Sequence, residues 1–143
     1  LGNNAQLARV LDLVAEPAAA SNGLLWFGSM PGANTLAQIA IRVEQRLNRP
    51  PLVIGAEELA VKRIAWCTGG AQSYFEAAIA AGADAFITGE ISEPQAHYAR
   101  ECGVAYLACG HHATERYGAP AVAGQVARSL GLEHRFIDIP NPA

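Results

Sequence analysis

The spacing of apolar positions changes along this chain, and each change marks an element. Leu7, Val10 and Leu11 fall on one face of a short helix expected at 5–13, which Asn4 is placed to cap and Glu16-Pro17 to end. The run GLLWFGSM (23–30) reads as a strand entering the Pro31-Gly32 turn. Asn34 or Thr35 then caps a helix reaching about residue 46, with Leu36, Ile39, Val43 and Leu47 as its buried stripe. Residues 52–54 form a short strand before a polar connection.

From residue 62 the rhythm is clearer, because apolar strand-like runs alternate with amphipathic helices in Gly-punctuated units. Strands are expected at 63–67, 85–88, 104–108 and 134–139, and helices at 72–81, 93–101 and 112–130. Such alternation predicts a layered α/β fold whose ligands gather at the carboxyl ends of the strands. Three of those ends read Thr-Gly-Gly (68–70), Thr-Gly-Glu (88–90) and Cys-Gly-His (109–111), so polar groups and glycines converge on one rim.

Composition narrows the function classes. With 143 residues, 51% hydrophobic and 16% charged, the chain suits one compact domain with a substantial core. Its net charge of -3 and scattered Lys and Arg give no basic footprint for nucleic acid. Its apolar runs fall far short of the roughly 20 residues of a bilayer span. Cys67, Cys102 and Cys109 are odd in number and lack C-x-x-C spacing, which fits reduced thiols and a cytoplasmic location better than disulfides or a zinc ribbon. The opening Leu-Gly-Asn-Asn has no initiator Met, so an upstream portion is expected to be missing.

The sharpest chemical element is GHHATER (110–116). A helix starting near His111 puts His111 and Glu115 at i and i+4, roughly 5–6 Å apart on one face. An imidazole and a carboxylate so placed suit two ligands of one divalent metal, although three protein ligands are usual at a catalytic metal. The structural alternative is a helix start in which Glu115 complements the dipole and His111 is a polar loop residue. His112 points to another face and is a candidate for contact with substrate. Glu90 either takes a proton or orients a metal-bound water, or it caps the next helix with Ser92 and Glu93. Cys109 reads as a small buried hydrophobe rather than a nucleophile. His97 reads as a structural histidine, and His134 opens the last strand on the surface.

Three ordered segments, RIAWCTGGAQS (63–73), DAFITGEISE (84–93) and ACGHHATER (108–116), resemble successive signatures of the GTP cyclohydrolase 1 type 2 homologue (NIF-three-like) family. The tail FIDIPNPA (136–143) and the opening LGNNAQLA (1–8) are similar to its YbgI branch in particular. The resemblance implies helices packed on a mixed sheet, and a chain covering the carboxy-terminal part of the protein, with 1–60 as a central segment and 61–143 bearing the GHHATE motif. It implies a dinuclear-metal hydrolase acting on a nucleotide-like or other small molecule, the alternative being a non-enzymatic metal-binding ring scaffold or regulatory interaction protein.

By motif match, His111 and Glu115 are the implied metal ligands, with Glu90, Thr88 and His112 around them. Two divalent ions per subunit are implied, with zinc, iron, manganese and nickel not distinguished, in a toroidal homohexamer. The family's other ligands, a His-His pair and an Asp, lie upstream of the Leu-Gly-Asn-Asn segment. The isolated chain is therefore expected to bind metal weakly or not at all, and to self-associate through apolar surface that its missing part would cover.

Overall fold

The computed structural model describes residues 1–16 and 23–143. Its elements run in chain order as α1 (Asn3–Val10), β1 (Val14–Ala15), β2 (Trp26–Ser29), α2 (Leu36–Leu47), β3 (Leu52–Ile54), β4 (Ile64–Trp66), a 3-10 turn (Gln72–Tyr74), α3 (Phe75–Ala80), β5 (Ala85–Thr88), α4 (Glu93–Cys102), β6 (Ala105–Ala108), α5 (His111–Glu115) and α6 (Gly118–Leu130). One mixed sheet in the order β1-β2-β4-β5-β6-β3 joins them. The strands β4, β5 and β6 are parallel, whereas β2 pairs β4, and β3 pairs β6, antiparallel. This is the layered α/β arrangement predicted.

The central strands are buried and mostly apolar because both faces are covered. Their residues alternate between two cores. Ile64, Trp66, Ile87 and Leu107 face α1 and α2, while Ala65, Phe86 and Tyr106 meet Phe75 and Ala99 on the other side. Phe75 packs edge-on to Tyr106 with ring centroids 4.8 Å apart. On α2 the expected stripe of Leu36, Ile39, Val43 and Leu47 is buried, each such side chain contributing about 1.5–3 kcal/mol. Thr35 and Gln38 form a reciprocal capping box at its start, and Asn48 in the left-handed region ends it.

Four expectations need correction. Residues 134–139 form no strand, because both sheet edges lie elsewhere; the tail runs extended and exposed across the surface. The helix expected at 112–130 is two helices, broken at Arg116-Tyr117, and α6 starts where the Asn3 side chain accepts a hydrogen bond from the Gly118 N–H. Asn4 does not cap α1: Gly2 does, and Asn4 is buried inside the helix with its side chain turned to the sheet. The first helix ends at Val10, and the Pro17 breaker lies outside the described residues.

Candidate metal and substrate site

Parallel pairing of β4, β5 and β6 brings their carboxyl ends side by side, and hydrogen bonds stitch the three following loops together. The Gly89 N–H donates to the Gly69 carbonyl at 2.9 Å, and the Gly110 N–H to the Gly89 carbonyl at 2.9 Å. Thr88, fully buried, donates its hydroxyl to Gly69 O at 3.1 Å. Thr114, also fully buried, accepts the Gly69 N–H at 3.0 Å. These contacts need Gly89: a Cβ there would lie 2.7 Å from the Gly69 oxygen and 2.8 Å from His111 Cα.

The chain's opening braces the same rim. The Asn4 side chain accepts the Thr68 N–H at 2.9 Å and donates to Leu24 O at 2.6 Å, while the Asn4 carbonyl accepts Trp66 Nε1–H at 3.1 Å. Asn3 and Thr114 were not singled out from the sequence, and Asn4 only as a helix cap. Their only signal was membership of the LGNN and ATER segments.

His111 stands on this rim between two carboxylates. Its Nδ1 lies 2.5 Å from Glu90 Oε1, and its Nε2 lies 2.9 Å from Glu115 Oε2. All three side chains are about 40% exposed. Glu90 reaches His111 because its loop is anchored by the Tyr106 hydroxyl, which donates to the Glu90 carbonyl at 2.7 Å. Glu90 makes no cap on α4, whose N-terminal Ser92 lacks a side-chain cap bond. The hydrogen bond to Glu90 is the main influence raising the His111 pKa, against the effect of burial. The same bond, followed by Gln72, lowers Glu90.

A neutral imidazole donates from one nitrogen only. With Nδ1–H given to Glu90, the Nε2 lone pair faces the Glu115 carboxylate, a contact that becomes favourable only with a cation between them. A proton serves in the imidazolium. A divalent metal fits equally, since a nitrogen and an oxygen bonded to one ion at about 2.0–2.2 Å lie about 3 Å apart. A carboxylate on the far ring nitrogen is also the usual partner of a metal-ligating histidine. Among the described residues no group of three or more His, Cys, Asp or Glu converges as a ligand set, so these residues offer a pair of donors.

The other candidates are placed apart. His112 turns away from His111 toward Asp138, 3.4 Å from its carboxylate, and lines a cavity of about 370 Å³ that also touches His111, Glu115, Phe136 and Ile139. Cys109 is buried beneath the rim, and burial pushes its thiol up to about 12, which excludes a thiolate nucleophile near neutrality. His97 is exposed on α4, 3.9 Å from Glu93, rather than structural. His134 is exposed in the tail. Cys67, Cys102 and Cys109 are free thiols. No helix among the described residues is long and apolar enough to cross a membrane.

A model of the Duf34/NIF3 (NGG1p interacting factor 3) family matches residues 1–142, and the chain belongs to that family. It is 53% identical over 144 residues to a GTP cyclohydrolase 1 type 2 homolog of Allochromatium vinosum, covering all of this chain and 57% of that protein. It is 45% identical over 148 residues to the protein of the same name from Escherichia coli K12, covering 58% of it. Among solved structures it superposes on protein ybgI, described as of unknown function, with a TM-score of 0.92 at 44% identity, covering all of this chain and 57% of that one. It is also similar to TTHA1606 from Thermus thermophilus, with a TM-score of 0.77 at 29% identity over 96% of this chain and 54% of that one. The chain thus spans little more than half the length of the curated relatives it matches.

Proposed function

We propose that this chain carries one share of the divalent-metal centre of a hydrolase acting on a nucleotide-like or other small molecule. The observation behind the reading is the single imidazole flanked by two carboxylates, with His111 Nε2 and Glu115 as donors. The relatives' name, GTP cyclohydrolase 1 type 2 homolog, supports the same chemistry. A bound divalent cation supplies Lewis acidity for hydrolysis. The chain's own residues set it up: Glu90 fixes the His111 ring by holding Nδ1–H, Thr88 and Thr114 hold the loops in register, and His112 contacts substrate from the cavity wall.

In this reading the remaining donors of a two-cation centre lie outside the chain, and zinc, iron, manganese and nickel all suit the donor pair. The intact protein assembles in the cytoplasm as a toroidal homohexamer, and exposed Ile41, Leu52, Ile137 and Ile139 are apolar surface for that assembly. The rival reading, a non-enzymatic metal-binding ring scaffold or regulatory interaction protein, draws on the family's description as an interacting factor.

The test uses a protein of the relatives' full length, loaded with each metal and offered phosphoesters, nucleotides and cyclic amides. The hydrolase reading predicts turnover of at least one class, with His111→Ala losing both turnover and metal. Metal uptake with no turnover of any class favours the scaffold. Unchanged metal content in His111→Ala removes the basis of the proposal.

A further inference from the structure

Across Asp138 from the His111 cavity, a second cavity of about 520 Å³ lies between the end of α2 and the tail, lined by Arg49, His112 and Arg116. The left-handed turn at Asn48 directs Arg49 into it. The guanidinium rests against the loop that carries His111, since a Cβ on Gly110 would lie 2.7 Å from Arg49 Nη1. Among the described residues Arg49 forms no ion pair with an Asp or Glu side chain. Its Nη1 donates instead to the Pro142 carbonyl oxygen at 2.7 Å and, at 3.2 Å, to an oxygen of Ala143 that belongs to the terminal carboxylate of the 143-residue chain. The backbone N–H of His112 donates to the same Ala143 oxygen at 3.1 Å. Nearby, Arg116 Nη1 holds Asp138 at 2.8 Å.

Everything the tail presents to this cluster is an oxygen, either the Pro142 carbonyl or a carboxylate, that of Asp138 or of Ala143. Guanidinium groups bind anionic oxygens about twice as strongly as neutral ones. The half-buried Arg49 thus already holds one neutral and one carboxylate oxygen of the tail, which marks the cluster as suited to anions. The two cavities share His112, Arg116 and Asp138, so one compact ligand reaches both.

We propose that Arg49, the His112 backbone amide and Arg116 form an anion subsite for the phosphate or carboxylate group of a small-molecule ligand, with the tail oxygens as its stand-ins. The ligand's apolar part packs on Phe136 and Ile139 in the adjoining cavity, beside His111 and Glu115. This deepens the hydrolase reading and rests on it for what happens at His111. The bound anion takes Asp138's place on Arg116 and displaces the tail oxygens from Arg49, so anion and tail compete.

The experiment titrates the metal-free 143-residue chain with inorganic phosphate, and separately with acetate, at constant ionic strength. The NMR signals of the His112 amide and Arg49 Nε–H are followed, and each variant's amide dispersion reports its folding. Both signals shift together and saturably with at least one anion; phosphate alone assigns a phosphate-bearing ligand and acetate alone a carboxylate-bearing one. Arg49→Met weakens binding by about tenfold or more, the loss of one charge-assisted hydrogen bond. Asp138→Asn tightens it, since a competing carboxylate is gone. No saturable shift with either anion, or a shift that neither variant alters, overturns the proposal. A protein of the relatives' full length that binds phosphate but no zinc contradicts the metal reading alone, and one that binds zinc but neither anion contradicts the subsite alone.

Discussion

Glu90 Oε1 sits 2.5 Å from His111 Nδ1, on the opposite side of the ring from Glu115. It therefore acts on any metal through His111, by fixing the ring and making Nε2 a better donor. Glu90→Gln keeps the shape and removes the charge. In a protein of the relatives' full length, zinc affinity measured by competition with a chromogenic chelator is expected to fall about 10–100-fold, the effect of losing a partner of a metal-ligating histidine, while the unfolding midpoint changes little. Equal affinity in the two proteins would leave Glu90 without a positioning role.

Asn4 links the opening helix to the rim, and its amide is satisfied on both ends by backbone groups. Asn4→Ala strands the buried Thr68 N–H and Leu24 carbonyl, so urea denaturation should show a loss of about 2–3 kcal/mol. A loss below about 0.5 kcal/mol would mean that water replaces the side chain at no cost.

Gly89 has no room for a methyl group between Gly69 O and His111 Cα. Gly89→Ala must push the β5 and β6 loops apart, costing about 1–3 kcal/mol of stability and separating His111 from Glu90. The separation is read as a change in the His111 ring signals. Retention of both stability and ring signals would contradict the close packing of the rim.

Burial raises the Cys67 and Cys109 thiols, the latter to about 12, whereas Cys102 is exposed at the end of α4. An alkylating reagent at pH 8 should modify Cys102 alone in the folded chain, and all three thiols in denaturant. In the unfolded chain the Cys109 thiol ionises near about 8.5. Its contribution to stability is thus complete below that pH and is lost as pH rises toward its folded value of about 12. Stability that is flat from pH 8 to 11 would contradict this.

Local periodicity was enough to place α2, the buried strands β4 to β6 and the three rim loops, because each is set by residues a few positions apart. The i, i+4 pairing of His111 and Glu115 was legible for the same reason. What escaped depends on distant partners. Asn4 meets Thr68 and Trp66, and Asn3 meets Gly118, so the bonds that break the last helix and brace the rim leave no local pattern. The alternation in residues 134–139 resembles a strand, yet a strand needs a free neighbouring edge, and the tail is held by Arg116 and Arg49 instead. Arg49 was invisible as a site residue because only folding carries the end of α2 to the Gly110 loop.

The central claim is that His111 Nε2 and Glu115 together hold a divalent cation. Long-range proton–nitrogen NMR of the histidine rings during a zinc titration of a protein of the relatives' full length tests it at the atom concerned. The account predicts that His111 Nε2 shifts strongly while Nδ1 keeps its proton on Glu90, that His112 and His97 change little, and that Glu115→Gln suppresses the response. Zinc that leaves the His111 ring unchanged, or that binds equally well to Glu115→Gln, would contradict it.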